Sequence, residues 1–262
     1  LSRLVQKGYK VAIAEQMEDP KLAQGLVKRE VIRVVTPGTI TSAQALDETK
    51  NNYLMGIVYL ADKMGVSVVD NTTGDFLVTE VSMSGISLED LKDRYHFTVS
   101  TLDPHFFQDE SCRKLLREHF KVGSLEGLGL GDYDCGVIAA GAVLQYLYET
   151  QKSTLDHLTT IVPYATGNYM VLDSSTRRNL ELLETMREKQ KRGSLLWVLD
   201  KTRTAMGARL LRTWIEQPLL SSDAINHRLD AVESLVNQTV QRGDLIEELH
   251  YIADLERMMT RT

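Results

Sequence analysis

The chain has 262 residues, 43% hydrophobic and 25% charged, which suits one to two soluble domains with a sizeable core. Its formal net charge of −6 argues against a self-sufficient DNA-binding domain, whose grip normally rests on a basic excess that neutralises phosphates. No run reaches the roughly 18 apolar residues of a membrane span, residues 1–14 lack a secretory layout, and two cysteines, Cys112 and Cys135, fit a reducing, cytoplasmic setting as ordinary semi-buried thiols.

Leu1, Leu4 and Val5 share a face and predict a helix at the start. A strand-like stretch follows around Val11 and Ile13, and the β-branched run Arg29 to Thr36 predicts a second strand, closed by Pro37-Gly38. Residues 1–38 are too few for a complete domain and read as the tail of one. The polar stretch 39–52 reads as a linker. A start at Leu1 inside a helix, and an end after Ile252, Leu255, Met258 and Met259 with no capping Gly or Pro, read as a fragment.

Residues 53–150 change character. Three strands are predicted at 53–59, 65–70 and 75–81, separated by Ala61-Asp62-Lys63 and Asn71-Thr72-Thr73-Gly74, both tight-turn sequences. Next come a helix over 87–95 with Ser87 as cap and Asp90 in the box position, a strand over 97–102, a helix over 111–119, a possible further strand and a long helix over 133–150. That order predicts a mixed sheet with helices on its faces, the ribonuclease-H-like architecture. Residues 151–165 read as a second linker.

From 166 to 262 the pattern is helical. Leu180, Leu183 and Met186 share one face, Leu195, Leu196 and Leu199 another. Leu210, Leu211, Trp214 and Ile215 form a broad stripe, repeated by Leu229, Val232, Leu235 and Val236, then by Leu245, Leu249 and Ile252. The fold class is therefore α/β plus all-α: a ribonuclease-H-like domain followed by part of a helical one.

Motifs that carry chemistry are missing from the sequence. There is no G-x-x-x-x-G-K-[ST] to cradle a triphosphate. Gly127, Gly129 and Gly131 have the wrong spacing for a dinucleotide site and read as a flexible loop. The six histidines, scattered at His96, His105, His119, His157, His227 and His250, read as surface or packing residues. A two-metal nuclease on this architecture needs an acid in its first strand, and YLMGIVY offers none. Asp70 and Asp75 flank a turn and read as backbone caps. Catalytic, cofactor and metal residues are therefore assigned to none. The basic cluster Arg187, Lys189, Lys191 and Arg192 is a candidate phosphate contact; the simpler reading is a solvated helix end that complements the dipole.

The segments GYKVAIAEQMEDP (8–20) and KREVIRVVTPGT (28–39) resemble the end of the mismatch-binding domain of the bacterial MutS family. STRRNLELLE and SLLWVLDKTRTAMGARLLRTWIEQPL (194–219) resemble the start of that family's core domain. AAGAVLQYLYETQ (139–151) and DLERMMTRT (254–262) are similar as well, so the resemblance runs the whole length of the chain. It implies a remnant of the mismatch-binding domain at 1–38, the connector domain at 53–150 and part of the core, or lever, domain at 166–262. It also implies a full-length homodimer that binds mismatched duplex DNA and uses ATP and Mg²⁺ to signal to MutL. The family's Phe-x-Glu reader and its ATPase domain have no counterpart here, so the segment is expected to be a connector and interaction module without cofactor. Position in the connector makes Arg113, Lys114 and Arg117 a candidate partner surface, against the plainer reading of a solvated helix face. Met206-Gly207-Ala208-Arg209 looks like a family hallmark whose physical role is packing, with Gly207 admitting a neighbouring helix and Trp214 filling a core. The alternatives are a MutS paralogue acting in recombination and a metal-dependent nuclease.

Overall fold

The computed structural model describes residues 1–19, 25–41, 46–82 and 97–259. They divide into two compact units, one of Leu1–Leu46 and Asn52–Tyr164, the other of Asp47–Asn51 and Ala165–Met259.

The first unit opens with a short helix α1 (Ser2–Gln6) and an antiparallel pair, β1 (Val11–Gln16) and β2 (Arg29–Val35), whose register slips between Ile13 and Ala14. Val5, Val35 and Ile40 close a small core beneath them. The main sheet follows as a meander, β3 (Tyr53–Leu60), β4 (Lys63–Asp70) and β5 (Asp75–Ser82), each strand paired along its full length. The expected turns are present. Ala61 takes a positive φ of 53° in a two-residue hairpin loop, and Gly74 takes one of 86° after Asn71-Thr72-Thr73. The expected helix over 87–95 lies outside the described residues. Two helices come next, α2 (Asp109–Phe120) and α3 (Asp134–Gln151).

The strand expected over 97–102 is absent: those residues carry no ladder. A strand needs a partner edge, and the edge of β5 next in the sheet is met by β6 (Val162–Pro163), which pairs in parallel through Leu77 and Val78. The sheet is mixed, in the order β3-β4-β5-β6. The glycine-rich stretch is also more ordered than a flexible loop. It forms a 3-10 turn at Glu126–Leu128 that ends on Gly129 with φ 73°, and it buries Leu125 and Leu130.

α3 organises this unit. It is apolar around most of its circumference, so most of it has to be covered, and only Asp134 and Glu149 stay exposed. One face lies on the sheet and another on α2. Its own small residues, Gly136, Ala139, Ala140, Gly141 and Ala142, let the backbones close up. A Cβ added at Gly65 would stand 2.1 Å from the carbonyl of Cys135, and one at Gly141 would stand 2.3 Å from Cys112 Cβ. Val69, Phe76, Val78, Leu116, Val137, Leu144 and Leu147 fill the core, joined by Leu155, Leu158 and Ile161 from the segment after α3. Glu80 of β5, with its side chain only 8% exposed, accepts from the Cys135 and Gly136 amides at 2.8 and 3.3 Å. A carboxylate from the sheet thus satisfies the orphan donors at the start of α3 and complements its dipole.

The second unit is helical: α4 (Ser174–Asn179), α5 (Leu195–Leu199), α6 (Ala205–Glu216), α7 (Ser222–Asn237), α8 (Thr239–Leu249) and α9 (Leu255–Met259). Four begin with a side-chain cap: Asp173, Ser194, Thr204 and Ser221 each accept an amide hydrogen from the first turn. The helix expected through Leu180, Leu183 and Met186 does not form. Glu181 and Lys189 adopt left-handed backbone, and the amides of Leu195 and Leu196 bond to the carbonyls of Glu181 and Leu182 instead. Gly207 does not admit a neighbouring helix; the nearest atoms to its would-be Cβ are those of Thr204 and Thr202. Trp214 does not fill a core either. It is 40% exposed, with the Arg228 guanidinium stacked 3.7 Å above its ring.

Candidate functional site

The sequence directs attention to three places, and the structure adds a fourth. At the end of β4, Asp70 is fully buried. It accepts from the Asn52 amide at 2.9 Å, the Thr72 amide at 2.9 Å and the Thr72 hydroxyl at 2.6 Å. Both carboxylate oxygens are occupied in tying a turn to the strand before it, the capping role expected of this aspartate. Asp70→Asn swaps one acceptor oxygen for an amide that faces the Asn52 N–H. The expected loss is about 1–3 kcal/mol in chemical denaturation; an unchanged midpoint would show that the Asn52 bond contributes nothing.

Of the candidate partner surface, Arg113 is committed inside the protein. Its Nε donates to Asp109 and its Nη2 to Asp134, both at 2.7 Å, which bridges α2 to the first turn of α3. Lys114 lies 3.8 Å from Glu118 one turn on, and Arg117 is exposed. The three do not form a concentrated positive patch, because Asp109, Asp134 and Glu118 answer two of them.

Arg187, Lys189, Lys191 and Arg192 do not sit at a helix end; they line the irregular loop between α4 and α5. All four are exposed. Lys191 pairs with Asp200 and Lys189 with Glu184. This leaves Arg187 and Arg192 as the freer cations of the loop.

Nucleophilic and metal chemistry finds little support. Burial pushes the Cys112 thiol up to about 11, and burial also raises Cys135, so both are protonated and unreactive at neutral pH. His119 bonds to the Tyr148 hydroxyl at 2.7 Å and the Leu158 carbonyl at 2.8 Å. His157 meets Asn71 at 3.0 Å, and its imidazole is held below its ordinary value first by burial and then by His119. Both rings fasten the segment after α3 to the sheet unit. Among the described residues, no three His, Cys, Asp or Glu side chains gather as a metal-holding group. No helix among them is long and apolar enough to cross a membrane.

The fourth place is an arginine cluster in the helical unit. Arg209 on α6 and Arg257 on α9 are each 3% exposed. Arg209 donates to both oxygens of Asp254 at 2.7 and 2.8 Å, to Glu256 at 2.6 Å and to the Glu48 carbonyl at 2.9 Å. Arg257 donates to the carbonyls of Asp47 and Lys50 at 3.2 and 2.6 Å. The sequence reading missed this pairing. The available signal was a cation set among apolar residues in GARLL, which calls for a buried acid, and DLER supplies one on each side of Leu255.

These features describe a sheet unit and a helical unit in which buried charged groups such as Glu80, Asp70, Arg209 and Arg257 serve internal fastening. The chain matches MutS domain I over residues 1–44, MutS domain II over 87–159 and MutS domain III over 175–262. It is 56% identical, over 283 aligned positions, to the DNA mismatch repair protein MutS of Lachnoclostridium phytofermentans, with 99% of this chain and 30% of the relative covered. The proteins of that name from Ruminiclostridium cellulolyticum and Acetivibrio thermocellus are 46% and 44% identical, with 99% and 100% of this chain and 32% and 33% of theirs covered. The chain belongs to the MutS family. It spans about a third of the length of the curated relatives it matches.

Proposed function

We propose that this chain is the connecting segment of a mismatch-repair MutS, joining a mismatch-reading domain to the helical core and offering a surface to MutL. The observation that carries the reading is the succession of MutS domains I, II and III along one chain. On this reading residues 1–38 are the last part of the mismatch-binding domain, 39–52 and 151–165 are the connections, 53–150 are a connector of ribonuclease-H-like type, and 166–262 are part of the core domain. The whole protein is a cytoplasmic homodimer that binds mismatched duplex DNA and uses ATP with Mg²⁺ to signal to MutL. No residue of this segment is assigned to ATP, Mg²⁺ or catalysis. The sequence offers no phosphate-cradling loop, and the acid at the end of β4 is consumed by backbone caps. Contact with MutL falls to the exposed side of α2, through Lys114 and Arg117 more than the internally paired Arg113. Contact with phosphate falls to Arg187 and Arg192, with Lys189 and Lys191 beside them.

Titration calorimetry of the chain against the cognate MutL tests this, with matched and mismatched duplexes in parallel. Binding to MutL that weakens in Lys114→Glu/Arg117→Glu, without preference for the mismatch, is the expected result. Selective binding of the mismatched duplex with no response to MutL would make the segment a reader and overturn the assignment.

A further inference from the structure

Asp47–Asn51 is flanked in sequence by two stretches of the sheet unit, yet it belongs to the helical unit. Five residues that would otherwise be a free polar linker are held there by guanidinium groups from far along the chain. Three of their carbonyls, those of Asp47, Glu48 and Lys50, accept from Arg257 or Arg209. The segment is shaped for this by its own Asp47, whose carboxylate accepts from the Thr49 amide at 2.9 Å and the Thr49 hydroxyl at 2.7 Å. Such a turn curls the backbone so that successive carbonyls point the same way. Asp254 joins the two arginines. It takes both Arg209 nitrogens, and it accepts from the Arg257 amide at 3.3 Å. A guanidinium is a rigid fork that keeps its charge at any working pH, so it spans separated acceptors in a fixed planar geometry that a lysine's compact ammonium does not reproduce.

We propose that Arg209 and Arg257 form a clasp that fastens Asp47–Asn51 into the helical unit, so that the chain running from the domain I match to the β3–β5 meander is anchored midway rather than free. The clasp is independent of the assignment to mismatch repair and of any DNA or MutL contact. Its effect is conformational. It holds Asp47–Asn51 against α6 and α9, where an unfastened polar linker would be free to move.

Limited trypsin digestion of the intact 262-residue chain reads the clasp directly. The side chain of Lys50 is 57% exposed, which invites cleavage, but the carbonyl that trypsin must attack is the one held by Arg257 Nη2 at 2.6 Å. The wild-type protein is expected to resist cutting after Lys50. Arg257→Ala and Arg257→Lys are each expected to accelerate that cut about tenfold or more, because cleavage of a locally opened segment tracks the population of the open form. Amide exchange in α3 should not change. Asp47→Ala alters only the exposed side of the segment and leaves both arginines in place; it is expected to raise the same cut about threefold or more by the same coupling. Equal rates after Lys50 in the wild type and all three variants would overturn the clasp. So would a release of 47–51 that occurs only together with loss of exchange protection throughout α6, since the arginines would then be ordinary core residues.

Discussion

Replacing Arg209 with methionine is expected to destabilise the helical unit by about 3 kcal/mol, the lower end of the range for removing one partner of a buried ion pair. The side chain of Arg209 is 4% exposed, whereas those of Asp254 and Glu256 are 18% and 47% exposed. The acids left behind therefore recover some water, which keeps the loss from the top of the range. The experiment is denaturant unfolding followed by tryptophan fluorescence, since Trp197 and Trp214 both lie in this unit. A loss under about 1 kcal/mol would mean that the pair behaves like a surface ion pair. The acid limb supplies an independent check. The bonds from Arg209 hold the Asp254 carboxyl below its ordinary value. A depressed folded value means that the pair's contribution is complete above the ordinary aspartate range and is lost as the pH falls through the folded value. The wild-type helical unit should therefore weaken in strong acid, below about pH 4, and Arg209→Met should weaken less steeply there.

Gly65→Ala is expected to damage the sheet unit by about 3 kcal/mol, at the upper end of ordinary overpacking. The new methyl group would lie 2.1 Å from the carbonyl carbon and oxygen of Cys135 and 2.6 Å from the Gly136 nitrogen. All three are backbone atoms of α3, so no side chain can swing aside. The start of the helix has to lift, and with it go the amide bonds to Glu80. Amide exchange at Cys135 and Gly136 should rise with the loss of stability. The sign makes the test sharp, because replacing glycine by alanine inside an element normally gains about 0.5–1 kcal/mol. Gly243 in α8, with open space where its Cβ would be, is the control expected to move that way. A neutral Gly65→Ala would show that α3 does not need to approach the sheet so closely.

Much of this architecture was legible in the sequence, for reasons that can be stated residue by residue. The β3–β5 meander announces itself because Ala61-Asp62 and Asn71–Gly74 are strong local turn sequences between β-branched runs, and α3 because its apolar residues continue over eighteen positions without a proline. The role of Asp70 also follows from its place beside a turn. What escaped depends on contacts between residues distant in sequence. Phe97 to Leu102 alternate like a strand, but propensity does not create a partner edge, and β6 takes that place, with Val162 pairing to Leu77 from far along the chain. Leu180, Leu183 and Met186 keep helical spacing through a stretch where Glu181 and Lys189 turn left-handed. The alignment with the Lachnoclostridium phytofermentans relative is longer than this chain, 283 positions against 262 residues, and the domain II match begins only at residue 87. The basic residues illustrate the same limit. Composition shows two basic groups, whereas only the structure shows that Asp109, Asp134, Glu118, Glu184 and Asp200 pair with four of their seven residues.

The bonds from Arg209 and Arg257 fall on backbone carbonyls of residues 47–51, not on their side chains. A carbonyl is the same whatever residue bears it, so the join is indifferent to most of the sequence it grips. Glu48 and Lys50 can drift in charge and size without loosening it. Arg209 and Arg257 have no such freedom, since lysine cannot reproduce the fork. The burden of keeping this crossing intact therefore rests on two positions more than 150 residues away in the chain, and the linker itself stays open to variation.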